Sequence, residues 1–262
     1  MTATLVALGD SMSCGEGVGV RVPLHLTWPA LLAQTLALQH VSYARPGARA
    51  HDVLTEQVGP AAAAQPSVVT LLIGLNDVLR SSNCVVGPLL TETLAAFGTV
   101  PSGTATLGTA PVLLVVRLHD PTLPLSMPRR ARAAVRRRVS LINAAVDQAA
   151  AVTGAQVLDL AALPALGRRE AWAVDRMHPS LYGHAVIAAA AAARLGDGDA
   201  LLGDGDNVLG EGDTVQAEVA LLALATSTRL AELAWLSRHG VPYLAVHGRR
   251  MVPGVVAGLA RR

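Results

Sequence analysis

The chain has 262 residues, 52% of them apolar and 15% charged, with a formal net charge of +2. That length and apolar content supply one sizeable core and exclude global disorder. The small net charge gives no basis for binding nucleic acid or another polyanion, so no nucleic-acid partner is expected.

Residues 2–8, Thr-Ala-Thr-Leu-Val-Ala-Leu, have no basic flank, and their apolar run is too short for a signal peptide. They read as a first, buried strand, and the protein is expected to be cytoplasmic, with no membrane span. Cys14 and Cys84 lack metal-ligand spacing and are expected to be free thiols. Further strands are predicted at 40–43, 68–73, 112–116 and 156–160. Those at 68–73 and 112–116 are apolar without alternation, as strands buried on both faces of a parallel sheet are. Helix-period segments fall between them near 28–39, 51–64, 88–98, 128–152 and 180–194. Alternation of this kind predicts a parallel sheet covered by helices through right-handed crossovers.

Within the fourth helix, six arginines lie between Arg129 and Arg138. They read as the solvated face of a long helix, with a docking patch for an anionic carrier as the alternative. Residues 1–195 form the expected main domain. Residues 196–213 are acidic and glycine-rich, repeating Leu-Gly-Asp-Gly-Asp at 195–199 and 202–206. They lack the calcium-loop pattern and read as a flexible linker. Residues 214–262 form a helical extension. Its helix is predicted from about Thr214 to His239, capped by Asp213 with Gln216 and stopped by Gly240 and Pro242. Its apolar positions, among them Val219, Leu222, Leu233 and Leu236, need a covering surface, which the main domain, a second subunit (a homodimer through this helix) or a lipid surface could supply, with packing or dimerisation the expected outcome.

Four short stretches carry chemistry: Gly9-Asp10-Ser11, Gly47, Gly74-Leu75-Asn76-Asp77 and Asp175-Arg176-Met177-His178. Ser11, Gly47 and Asn76 follow the first three predicted strands, so all three fall on the carboxyl edge of the sheet, where functional groups of such sheets gather. A serine hydroxyl needs a base to become nucleophilic, and an imidazole oriented by a carboxylate is suited to that task. Asp175 and His178, three apart, can both be placed by one loop before a helix. The backbone amides of Ser11 and Gly47 and the side-chain amide of Asn76 are uncharged donors for a developing oxyanion. Taken singly, Ser11 could be a helix N-cap, Gly47 a turn residue, Asn76 a loop bridge and His178 a helix-entry residue. Their joint occurrence in this order favours catalysis. The remaining histidines, His119 and His184 among them, read as structural or exposed.

Together these blocks resemble the SGNH hydrolases, also called GDSL esterases/lipases, over about residues 3–195. The four letters map to Ser11, Gly47, Asn76 and His178. Met12 stands where the family has leucine, and Ser42-Tyr-Ala-Arg-Pro-Gly47 is a loose version of the second block. The resemblance implies a flavodoxin-like three-layer α/β/α sandwich around five parallel strands, with no metal and no organic cofactor. It implies catalysis by Ser11, Asp175 and His178, with an oxyanion hole of Ser11, Gly47 and Asn76. The expected activity is hydrolysis of a small-molecule carboxylic ester with a small or medium acyl group, through an acyl-serine. The alternatives are an acyltransferase or thioesterase acting on a carrier-bound intermediate, and a catalytically silent scaffold used for assembly.

Overall fold

The computed structural model describes residues 3–81, 85–98, 110–123, 128–196, 233–242 and 245–246. Five strands, β1 (Thr4–Gly9), β4 (Gln39–Ser42), β5 (Val68–Leu72), β6 (Val112–Arg117) and β7 (Gln156–Asp159), form one sheet in the order β4-β1-β5-β6-β7. All neighbouring pairs are parallel, with Leu5 opposite both His40 and Val68. The central strands are buried throughout, which is why their sequences run Leu-Val-Ala-Leu and Val-Val-Thr-Leu-Leu without polar alternation. A two-stranded antiparallel hairpin of β2 (Glu16–Gly17) and β3 (Val20–Arg21) stands apart from this sheet.

Helices cover both faces. On one, α2 (Trp28–Thr35) packs against α8 (Leu181–Gly196). On the other lie α6 (Gly87–Ala95), α7 (Arg129–Thr153) and a continuous helix over 50–63. That last helix comprises α3 (Ala50–Asp52), a wide π turn (Val53–Gln57) and α4 (Val58–Ala63). The arrangement is the expected α/β/α sandwich. The chain leaves β1 toward one edge and returns to add β5 on its other side, so strand order reverses beside the carboxyl end of β1. Ligand crevices in sheets of this class open at that point.

The long helix α7 shows how its sequence was sorted. Val135, Val139, Ile142, Val146 and Ala149–Ala150 form a buried stripe at helical spacing, and Gly154 ends the helix with φ 75°. Arg138 lies in that stripe and is only 6% exposed, contrary to a wholly solvated arginine face. Its guanidinium donates to the carbonyls of Val78 (2.8 Å), Asp77 (3.0 Å) and Ser81, closing the end of α5 (Leu75–Arg80). Arg136 pairs with Asp120 at 2.5 Å.

Two helices end differently from expectation. Helix α2 stops at Thr35 because Ala37 turns left-handed (φ 52°), with amide bonds from Leu38 to Ala33 and from Ala37 to Gln34. Near the C-terminus, residues 233–242 are helical straight through Gly240 and Pro242. A wide turn over Leu236–Gly240 makes room for the proline, so neither residue stops the helix. The acidic linker, most of the predicted 214–239 helix and Cys84 lie outside the described residues. Among the described residues no helix is long and apolar enough to cross a membrane.

Candidate active site

Gly9 ends β1 against the backbone of β5: a Cβ there would sit 2.1 Å from the Leu72 carbonyl oxygen, and φ is +135°. Only glycine fits. Its amide donates to Gln57 Oε1 and its carbonyl accepts from Gln57 Nε2, both at 2.9 Å. The π turn delivers that side chain, so Gly9, just before Asp10-Ser11, is held at both its amide and its carbonyl. Asp10, not Ser11, caps the following helix by accepting the Met12 amide at 3.0 Å. That helix, α1 (Ser11–Cys14), is a single turn, so it supplies less of a dipole than a full helix after Ser11 would.

The loop between Trp172 and Pro179 is pinched at its base. The Ala173 amide donates to the His178 carbonyl at 2.8 Å, and the Ser180 amide to the Ala171 carbonyl at 2.9 Å. Arg176 takes the left-handed turn at its tip (φ 59°). Asp175 Oδ1 accepts the amides of Met177 (3.0 Å) and His178 (3.1 Å), which turns its Oδ2 to His178 Nδ1 at 2.5 Å. On the far side of the ring, His178 Nε2 lies 2.9 Å from Ser11 Oγ, joining residues 167 apart in the chain. All three side chains are buried. Burial alone would raise the Asp175 pKa, but its hydrogen bond and charge interaction with His178 and the two amides prevail and hold it below the usual value.

The residues expected as oxyanion donors follow neighbouring parallel strands of the sheet, Ser11 after β1, Gly47 after β4 and Asn76 after β5. Gly47 follows β4 with φ 75°, its carbonyl accepting from Arg80 Nη1 at 3.0 Å. Asn76 opens α5, and its Nδ2 donates to Asp10 Oδ2 (3.2 Å) and to the Ala48 carbonyl (3.1 Å). Both amide hydrogens are thus engaged, and donation to an oxyanion requires one to be shared or released. Asp77, next in the block, accepts the Ala50 amide at 3.1 Å and so anchors α5 to α3.

Several residues to which the sequence assigns no part in the chemistry surround this arrangement. Asp10 is almost fully buried, and desolvation pushes its pKa up to about 6 despite the Met12 and Asn76 bonds. Asn143 brackets Leu118 beyond β6, accepting its amide at 2.8 Å and donating to its carbonyl at 3.0 Å. His184 is fully buried and accepts the Trp28 amide on Nδ1 at 3.1 Å, while burial drives its pKa down to about 3. His119 stacks on Trp172 with ring centroids 4.0 Å apart, and burial lowers its pKa to about 4. Asp10 is visible in the sequence as part of the Gly-Asp-Ser block and the two histidines as structural or exposed residues, but their partners are not; for Asn143 the one signal is a polar side chain within an otherwise apolar stretch.

Fold and site together place Ser11, His178 and Asp175 in one hydrogen-bonded chain beside the carboxyl end of β1 in a parallel sheet. Residues 7–186 match the GDSL-like Lipase/Acylhydrolase family, and the chain belongs to it. It is therefore a serine hydrolase of the carboxyl-ester class. Solved structures share the fold. A psychrotrophic esterase from Pseudoalteromonas sp. is 16% identical over 74% of this chain and 97% of its own (TM-score 0.52). An acetyl xylan esterase from Geobacillus stearothermophilus is 19% identical over 74% and 94% (TM-score 0.55). Phospholipase A1 from Streptomyces albidoflavus is 23% identical over 76% and 100% (TM-score 0.54). Comparison with curated protein sequences returns no match.

Proposed function

We propose that this chain hydrolyses a small-molecule carboxylic ester with a small or medium acyl group, through an acyl-enzyme on Ser11. The observation that carries the reading is the continuous chain from Ser11 Oγ to His178 Nε2 (2.9 Å) and from His178 Nδ1 to Asp175 Oδ2 (2.5 Å). Ser11 Oγ attacks the acyl carbon as its proton passes to His178 Nε2, and the carbonyl electron pair becomes an oxyanion. The Ser11 and Gly47 amides and the Asn76 side chain hold that oxyanion. His178 then returns the proton to the departing alkoxide, releasing the alcohol. Water, deprotonated by the same imidazole, attacks the acyl-serine, and His178 returns that proton to Ser11 Oγ as the acyl–oxygen bond breaks and the acid leaves. Asp175 stays ionised, keeping its partner proton on Nδ1 and offsetting the imidazolium charge.

A transferase or thioesterase docking an acidic carrier on the 129–138 arginines has less to use than the sequence offers. Arg138 is buried among carbonyls and Arg136 is paired with Asp120. A test is turnover of p-nitrophenyl esters from acetate to palmitate by wild type and Ser11→Ala. The variant should lose about four orders of magnitude in kcat, with the best wild-type rate on the shorter chains. Retained activity would remove Ser11 from the mechanism, and an optimum at palmitate would overturn the acyl-size reading.

A further inference from the structure

The β2–β3 hairpin lies between two parts of the chain that are far apart in sequence. On its inner side Gly17 packs on the Asp175–His178 pair. A Cβ at Gly17 would stand 2.5 Å from His178 Nδ1 and 2.7 Å from both Asp175 Oδ2 and His178 Cγ. Those atoms belong to the hydrogen bond between carboxylate and imidazole, not to the Nε2 edge that meets Ser11. The hairpin thus shields the orienting bond and leaves the reacting edge alone.

On its outer side the hairpin meets the C-terminal helical segment. Trp235 Nε1 donates to the Val18 carbonyl at 2.5 Å, at the hairpin turn. The His239 ring lies against Gly19, where a Cβ would be 2.5 Å from Cγ. Trp235 also packs on Gly240, whose Cβ position is 3.0 Å from Trp235 Cζ3, so the indole is held from its own helix. A two-residue-per-strand hairpin is too short to hold its own position in water. The salt bridge it carries, Arg21 with Glu16 at 3.3 Å, is exposed and adds little.

We infer that Trp235 is a positioning residue for the hydrolase: it pins the hairpin over the Asp175–His178 hydrogen bond and keeps water from it. A hydrogen bond to a charged group is stronger away from water, and an imidazole that holds one orientation needs no reorganisation when it takes the serine proton. This inference rests on the triad reading above. It assigns the C-terminal segment to the working site although that segment lies outside the family match.

The test compares full-length wild type with Trp235→Ala, Trp235→Phe, His239→Ala and, as control, Leu233→Ala, whose side chain is exposed on the same segment. Two readouts are taken: exchange with water of the downfield His178 Nδ1 proton by NMR, identified by its loss in His178→Ala, and kcat and KM on a p-nitrophenyl ester. Trp235→Ala should speed proton exchange about tenfold and lower kcat about fivefold, with KM changed less than about twofold. Trp235→Phe keeps an aromatic ring without the N–H and should fall between, while Leu233→Ala should match wild type. Should Trp235→Ala fail to fold by circular dichroism, Trp235→Phe and His239→Ala carry the same comparison. Unchanged exchange and kcat in a folded Trp235 variant would overturn the inference. So would a rise in kcat, which would make the segment a blocking element. A fluorophosphonate probe separates the two readings: failure to label wild-type Ser11 counts against the hydrolase assignment, whereas the exchange measurement tests the hairpin contact without any substrate.

Discussion

Asp10 is the least comfortable residue in the site. Its carboxyl is almost fully buried, caps α1 and receives the Asn76 amide, yet desolvation raises its pKa from 3.8 to about 6. The folded state therefore holds this proton more tightly than the unfolded chain. The associated stability is fully present below pH 3.8 and is lost as pH rises through about 6. Asp10→Asn keeps a side-chain oxygen for the Met12 amide and removes the charge. Relative to wild type it should gain about 3 kcal/mol between pH 4 and pH 8, a shift of about two pK units. Urea midpoints at the two pH values measure this, and a difference that does not vary with pH would show that the Asp10 carboxyl titrates normally. The residue pattern Gly-Asp-Ser stood out in the sequence as a candidate nucleophile block, but the place of its aspartate did not. Whether a carboxylate is desolvated depends on what packs over it.

Among the elements, the six-residue helix α5 bears most on the proposed chemistry because Asn76, the proposed oxyanion donor, sits in its first turn. A helix this short is not stable by itself. Arg138 holds its far end by donating to three terminal carbonyls, and Asp77 holds its near end through the Ala50 amide. Arg138→Met should leave those carbonyls unpaired, lower stability by about 3 kcal/mol and reduce kcat/KM about tenfold as Asn76 loses its placement. Arg138→Lys should recover only part of this, since an ammonium lacks the planar fork that reaches carbonyls of adjacent residues. Thermal melting and kinetics of the two variants check both points, and equal behaviour of Met and Arg would exclude the capping role. The five strands and the long helices were readable from periodicity. Helix α5, the π turn that delivers Gln57 and the β2–β3 hairpin were not, because each is too short to show a period and owes its form to its neighbours.

At the scale of the whole molecule, two buried neutral histidines set the acid limit. His184 bridges α8 to the start of α2, and His119 stacks on Trp172 in the segment leading to the Asp175–His178 loop. Their pKa values, about 3 and about 4, lie below the 6.5 of the unfolded chain. The unfolded state takes up protons first, so the stability these groups contribute is present above pH 6.5 and declines as pH falls toward 4. Asp10 works in the opposite direction over part of this range and offsets some of the loss. His119→Phe keeps the stack without a titrating group and should flatten the decline from pH 6.5 to 4 by about 3 kcal/mol. An equally steep acid limb in that variant would mean the histidine titrates normally. Order along the chain was enough to predict a parallel sheet, its helical cover and the alignment of Ser11, Gly47 and Asn76 on one edge, because strand polarity and right-handed crossovers leave little choice. Only tertiary packing decided that Arg138 lies inside, that Asn76 bonds to Asp10 and Ala48, and that Trp235 reaches a hairpin over two hundred residues earlier. Periodicity is a local property of the chain, whereas burial of a charge and the partner of an amide depend on segments that sequence order leaves far apart.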